Sequence, residues 1–314
     1  MAIAAVSTLT ASIANAADDW PNRPVRVIST FAAGGTADVL ARLVAEHMST
    51  AFNQQFFVEV RAGAGGTIGV KSVVDSPPDG YNFALTNVTQ LVLLPLSNPK
   101  LGYDPKRDLT NIAFVAGSPV LISVNANSGI KSLKDLVARG KEKTQTYSSS
   151  GLGSMGHLVG ESFAHSAKIK VEHVPYKGAS QGLTDLAGGH IVFASQTVSS
   201  TAALMRSGAL AGLAVSTPDR LPDYPNIPTF KEEGFPELVS TIWFGFSGPA
   251  NLPASITNKV NQEIARAMAK PEIQARLKKD GLISQAMSPE AFRKLIDEES
   301  VRWKPVIERG GLTN

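Results

Sequence analysis

Three features of this sequence point to an α/β protein of two domains, each a mainly parallel sheet flanked by helices. Short apolar runs alternate with stretches of helical spacing along most of the chain, the pattern of strands joined by crossover helices. Turns rich in glycine and hydroxyls recur where those runs hand over to helices, at 31–38, 61–67 and 148–154. The length, 314 residues, exceeds what one core usually serves, so two units of roughly 100–200 residues are expected.

The elements follow in order. A strand at 25–31 precedes a helix at 37–51, whose apolar stripe is Val39, Leu40, Leu43, Val44 and Met48. A strand at 56–60, a short helix at 67–74, a Pro-Pro-Asp-Gly turn at 77–80 and a strand at 81–86 come next. Two strand candidates within 113–124 are separated by Gly117-Ser118-Pro119. The alternation then resumes with helices at 133–139, 155–165, 179–187 and 201–206, and strands at 144–148, 170–174, 191–195 and 210–216. Prolines 218, 222, 225, 228 and 236 mark a segment of little periodicity, expected to cross between domains. After a strand at 241–248 the pattern is helical, with an i, i+4 stripe of Ile256, Val260, Ile264 and Met268. Pro271 opens another helix that Gly281 ends, and Ser288-Pro289 caps the last, through Phe292, Leu295, Ile296 and Trp303. A helical tail beyond a crossing segment returns to the first domain. The expected division is therefore 18–118 plus 223–314 for domain 1 and an inserted 119–222 for domain 2, with a ligand cleft between.

Composition narrows the function. The absence of cysteine removes thiolate zinc sites, iron–sulfur clusters, thiol nucleophiles and disulfides. A net charge of +3, without like-charge blocks or interleaved aromatics, excludes a nucleic-acid footprint. His47, His157, His165, His173 and His190 form no H-x-x-x-H pair, so no metal is expected, and nothing signals a catalytic triad. Residues 1–17 are uncharged and end in Ala14-Asn15-Ala16, like a secretory apolar segment with its cleavage site, although no Lys or Arg precedes them. An exported, periplasmic protein is expected; a buried terminal element is the bland alternative. No later run reaches the roughly 18 apolar residues that a spanning helix needs.

The chemistry sits at the glycine-marked helix starts. Glycine admits close backbone approach, and a helix N-terminus presents unpaired N–H groups with about half a positive charge. Several such ends facing one crevice bind an anion without arginine. Any one of these turns alone is ordinary; five across two domains favour binding. Thr36, Thr67, Ser149, Ser150, Ser154 and Thr197 add neutral hydroxyls, suited to reversible capture. A competing motif exists: Gly151-Leu152-Gly153-Ser154-Met155-Gly156 matches G-x-G-x-x-G, with Glu172 at the spacing of a dinucleotide fingerprint. The strand before it is polar, where a central parallel strand should be apolar, and an NAD-dependent oxidoreductase is the runner-up.

The ordered loops resemble a known family. Phe31 to Asp38, Gly63-Ala64-Gly65-Gly66, Pro78-Asp79-Gly80-Tyr81, Tyr103-Asp104-Pro105, His173 to Gly178, Asp185 to Gly189 and Trp243-Phe244-Gly245 carry the likeness. Together they are similar to the receptors of tripartite tricarboxylate transporters, the Bug or TctC-like family, over essentially the whole mature chain. The resemblance implies a two-domain Venus-flytrap fold of type II and no enzymatic activity or cofactor. It also implies a monomer that captures a small organic carboxylate and delivers it to large and small inner-membrane permease subunits. A ligand sensor for a signalling partner shares that fold. By position, Phe31, Gly35, Thr36 and Asp38, with Gly65, Gly66, Thr86 and Asn87, would form one wall, Asp38 orienting its loop. Ser149, Ser150, Ser154 and His157 match the facing segment. Val60-Arg61-Ala62 stands where the family has Asn-Arg-Pro, and Gln196-Thr197 where many members carry Asp-Asn. Gln196 and Thr197 complete the expected site. Loss of an acidic group at 196 is expected to disfavour ligands with an α-ammonium.

Overall fold

A computed structural model describes residues 20–309, so the expected export segment lies outside the described residues. The chain opens with β1 (Val25–Ser29), α1 (Thr36–Phe52), β2 (Phe56–Val60), α2 (Thr67–Val74) and β3 (Asn82–Asn87). A π-helical turn, Thr89–Leu93, leads into the short α3 (Leu94–Ser97), and β4 (Leu109–Asn125) follows. Then come α4 (Leu133–Glu142), β5 (Gln145–Ser149), α5 (Met155–Ala167), β6 (Val171–Pro175), α6 (Ala179–Ala187), β7 (Phe193–Thr197), α7 (Val198–Arg206) and β8 (Leu210–Val215). The last part is β9 (Thr241–Pro249), α8 (Ala254–Ala269), α9 (Pro271–Lys279) and α10 (Pro289–Arg309).

Two sheets share β4. Its first half pairs with β9, beside β3, β1 and β2; its second half pairs with β7 and β8, with β5 and β6 beyond β7. The outer pairings, β1 with β2 and β3, and β5 with β6 and β7, are parallel. Those made by β4 and β9 are antiparallel, because the strands that join two sheets run out and back rather than through crossover helices. The two strand candidates within 113–124 are therefore one strand. Gly117, Ser118 and Pro119 do not break it; they lie where it changes partners, from Thr241 opposite Pro119 to Thr197 opposite Val120. A proline without an N–H is tolerated where one ladder ends and the next begins.

The return path is equally short. Ser240 N donates to Ser216 O at 2.9 Å, and Ser216 Oγ donates to Ser240 O at 2.5 Å and accepts from Val120 N at 2.8 Å. β8 and β9 thus abut along one edge of β4, and the proline-rich stretch is an excursion from that junction. The excursion packs on the second sheet. Phe230 and Phe235 lie against Phe163 of α5, while Leu221, Tyr224 and Ile227 cover Leu121, Val198 and Val215. The chain regains the first sheet at Ser240–Thr241, after the boundary expected at 222/223.

The cores are apolar and closely packed. Phe83 stacks on Phe246 at 5.1 Å in the first sheet, and Tyr147 stacks on Phe193 at 5.0 Å in the second. Each such fully buried ring contributes about 1.5–3 kcal/mol from transfer alone. The helical tail packs on the first sheet, with Phe292 edge-on to Trp243 at 5.6 Å and Asn261 Nδ2 donating to Ile112 O at 2.9 Å.

Candidate functional site

Between the two sheets lies a narrow cavity of about 40 Å³, lined by Phe31, Gly35, Thr36, Ala37, Asn87, Thr89, Ile242 and Phe244 from the first unit. Ser150, Ser154, Met155, Gly156, Ala179 and Thr197 line it from the second. The parallel strands explain the position. β1, β3, β5, β6 and β7 end at this crevice, and helical turns start beyond them there.

Four of these helices point their N-termini into the crevice: α1 through Gly35, Thr36 and Ala37, α5 through Ser154, Met155 and Gly156, α6 through Ala179, and α7 through Thr197. Ser154 caps α5 by accepting from His157 N, and Thr197 caps α7 by accepting from Ser200 N, both at 3.2 Å. α1 and α6 begin at Gly35 and Gly178 without a side-chain cap, so their first-turn N–H groups have no hydroxyl or carboxylate of the chain upon them. None of the lining residues is charged. The polar ends face apolar surface from Phe31, Met155, Ile242 and Phe244. The arrangement suits a ligand that combines an anionic group with hydrocarbon.

The walls meet directly. Ala32 N donates to Lys177 O at 3.0 Å, and Ser180 Oγ donates to Ala33 O at 2.8 Å. Thr36 Oγ1 lies 2.8 Å from Thr197 Oγ1 and 2.6 Å from Ser199 Oγ. Gly178 admits this approach, because a Cβ there would sit 2.9 Å from Ala32 N.

Of the residues expected at the site, Phe31, Gly35, Thr36, Asn87, Ser150, Ser154 and Thr197 line the cavity. The others stand behind it. Asp38 accepts from Gly34 N and from Arg42 Nε, both at 3.1 Å, and is not among the residues that line the cavity. Thr86 donates to Gly245 O within the sheet. Gly65 O and Asn87 N are both held by Gln90, and a Cβ on Gly66 would meet Gln90 Nε2 at 2.0 Å. Ser149 Oγ lies 2.7 Å from His173 Nε2, and Gln196 Oε1 accepts from Ser150 Oγ at 2.7 Å.

His157 serves as a support rather than as wall. Its Nδ1 accepts from Gly153 N at 3.2 Å, and its ring lies 4.2 Å from that of His173. Burial pushes both imidazoles down, His173 to about 3, with the neighbouring His157 lowering it further; the Glu161 carboxylate partly offsets the effect at His157. Both are therefore neutral at pH 7. Among the described residues no cluster of His, Cys, Asp or Glu has the arrangement of a metal site.

Sequence reasoning missed several wall residues. Ala179 lies in a loop already marked by Lys177-Gly178, and Phe244 in Trp243-Phe244-Gly245, so a signal existed for both. Met155 and Gly156 fall in the G-x-G-x-x-G segment, where Gly151 and Gly153 have positive φ and Gly156 backs onto Ser195 O. Its preceding strand, β5, is an inner parallel strand after all; Gln145, Tyr147, Ser148 and Ser149 are buried. Thr89 carried no mark of its own.

Residues 40–312 match the family described as the tripartite tricarboxylate transporter family receptor. The chain belongs to this family. As a TctC receptor it is 30% identical to protein BugT of Bordetella pertussis over 316 residues, 99% of this chain and 97% of that one. The R. palustris protein Rpa4515, solved with adipate, superposes with a TM-score of 0.89 at 31% identity, covering 93% of this chain and 98% of the other. MatC of Rhodopseudomonas palustris, solved with bound malate, gives 0.86 at 26% identity, with 92% and 100% covered. The TctC chain is thus of the two-domain periplasmic-binding-protein fold, among solute-binding receptors.

Proposed function

We propose that this chain is an exported receptor that closes on a small carboxylate and passes it to the inner-membrane subunits of a tripartite transporter. One observation carries the reading: four helix N-termini converge on a cavity with no charged side chain and with an apolar flank. Convergent N–H groups in a low-dielectric cleft hold an anion, and the neutral wall leaves that charge to the helix ends. Phe31, Met155, Ile242 and Phe244 match the methylene body of an aliphatic mono- or dicarboxylate. Adipate and malate bound to similar proteins support the same class. The lobes are the first sheet with its helical tail, and the second sheet with the 217–240 excursion; they pivot where β4 and the Ser216–Ser240 junction cross.

A thermal-shift screen of adipate, malate, glutamate and NAD tests this, because a ligand that binds only the folded state raises the melting temperature by mass action. A rise with adipate or malate is expected. A rise with NAD alone would replace a receptor with a dinucleotide protein.

A further inference from the structure

We propose that Ser199 is a closure residue, which with Thr36 and Ser118 forms a hydroxyl latch from the cleft to the crossing strand. The inference extends the reading of a closing receptor and rests on a chain of hydroxyl contacts that crosses between the lobes. Ser200 Oγ donates to Thr197 O at 3.0 Å, and Thr197 Oγ1 donates to Ser200 Oγ at 2.8 Å. Thr197 therefore has no hydrogen left for Thr36, so the 2.8 Å contact between them is donated by Thr36. Thr36 has then used its one hydrogen, so the 2.6 Å contact to Ser199 draws on the Ser199 hydrogen, which Ser118 Oγ also accepts at 3.2 Å. Ser199 thus bridges Thr36 of the first lobe to Ser118, to which it donates, on β4 at the point where the strand changes sheets.

Two consequences follow. Thr36, although on the cavity wall, offers no donor to an anion in this closed arrangement; it bonds the first lobe to the second. The latch also opposes a specific cost. Thr36 is the first residue of α1, Thr197 the N-cap of α7 and Ser199 the second residue of α7, so two positive helix ends meet head to head across the cleft. Hydrogen bonds hold those ends together, and an anion between them removes their repulsion.

The test uses a closure reporter that the chain makes clean, because it has no native cysteine. A Cβ on Gly35 would lie 3.9 Å from Ala179 Cβ across the cleft, within the disulfide range of about 3.5–4.5 Å, and Gly35 has φ −86°. In a Gly35→Cys/Ala179→Cys chain, the rate of disulfide formation under a mild oxidant reports how often the lobes close. Adding Ser199→Ala should slow cross-linking about fivefold, the worth of one net hydrogen bond. Thr36→Val should do the same and Thr36→Ser should restore the rate. Ser207→Ala, at the far end of α7, should not change it. Equal rates for the parent and the Ser199→Ala chain, both folded by circular dichroism, would overturn the latch. The same holds if Thr36→Ser fails to rescue while Thr36→Val slows closure. The assay contains no carboxylate, so failure of the parent protein to bind adipate would count against the proposed ligand class and leave the latch standing.

Discussion

Thr36 Oγ1 and Thr197 Oγ1 stand 2.8 Å apart, although 161 positions separate them, and they join the start of α1 to the cap of α7. Their contact converts two loop ends into one wall. Thr36→Val should therefore weaken adipate binding by about 1 kcal/mol, and Thr36→Ser should recover it. Isothermal titration of the two variants checks this; unchanged affinity in Thr36→Val would remove Thr36 from the binding cycle.

Ser154 holds the first turn of α5 at the cavity edge by accepting from His157 N. Ser154→Ala should cost about 1 kcal/mol of stability, the usual worth of a serine cap. Urea midpoints measure that loss, and adipate affinity should fall with it because the α5 N-terminus frays.

Gln196 receives the Ser150 hydroxyl at 2.7 Å and brings no charge to the cleft. A receptor so equipped should prefer adipate or malate to glutamate and aspartate. Gln196→Glu should narrow or reverse that preference by adding a carboxylate beside Ser150, a partner for an α-ammonium. Calorimetry that shows glutamate binding the parent protein more tightly than any plain dicarboxylate would refute this selectivity.

His173 gives the fold an acid sensitivity of definite sign. Its imidazole titrates at about 3 in the folded chain, against the ordinary value of 6.5, because it is buried and faces His157. Between those values the unfolded chain binds more protons, so stability rises with pH there and is lost as pH falls from about 6.5 toward 3. His173→Gln should flatten the slope of urea stability between pH 6.5 and 4.5. An unaltered slope would show that His173 is not its source.

Gly66 lies at φ +94°, and a Cβ there would meet Gln90 Nε2 at 2.0 Å. Gly66→Ala should displace the amide that holds Gly65 O and Asn87 N, and lower stability by about 1–3 kcal/mol. Chemical denaturation reads the first effect and adipate titration the second.

Much of this molecule is legible in one dimension. The alternation of apolar runs with helical stripes places the elements to within a few residues, because period and caps are local properties. The glycine- and hydroxyl-rich turns identify most cleft loops for the same reason: a helix start beside a flexible turn is recognisable without knowing what faces it. The likeness of those turns to a receptor family stands on their order along the chain. The site was harder. Asp38, Ser149 and His157 have the residue types of a binding wall, yet they bond to Gly34, His173 and Gly153, while Gly66 packs against Gln90.

The α/β class, the helix ends that favour an anion and the neutral chemistry of the cleft can be read from the residue order, since all three depend on residues near one another in the chain. The folded chain alone shows that β4 runs unbroken through Gly117-Ser118-Pro119 and that the proline-rich stretch is an excursion packed on the second sheet. It also shows that Thr36 meets Thr197 and Ser199. Pairing between distant strands and contact between lobes depend on which surfaces bury one another, and no local pattern of residues carries that information.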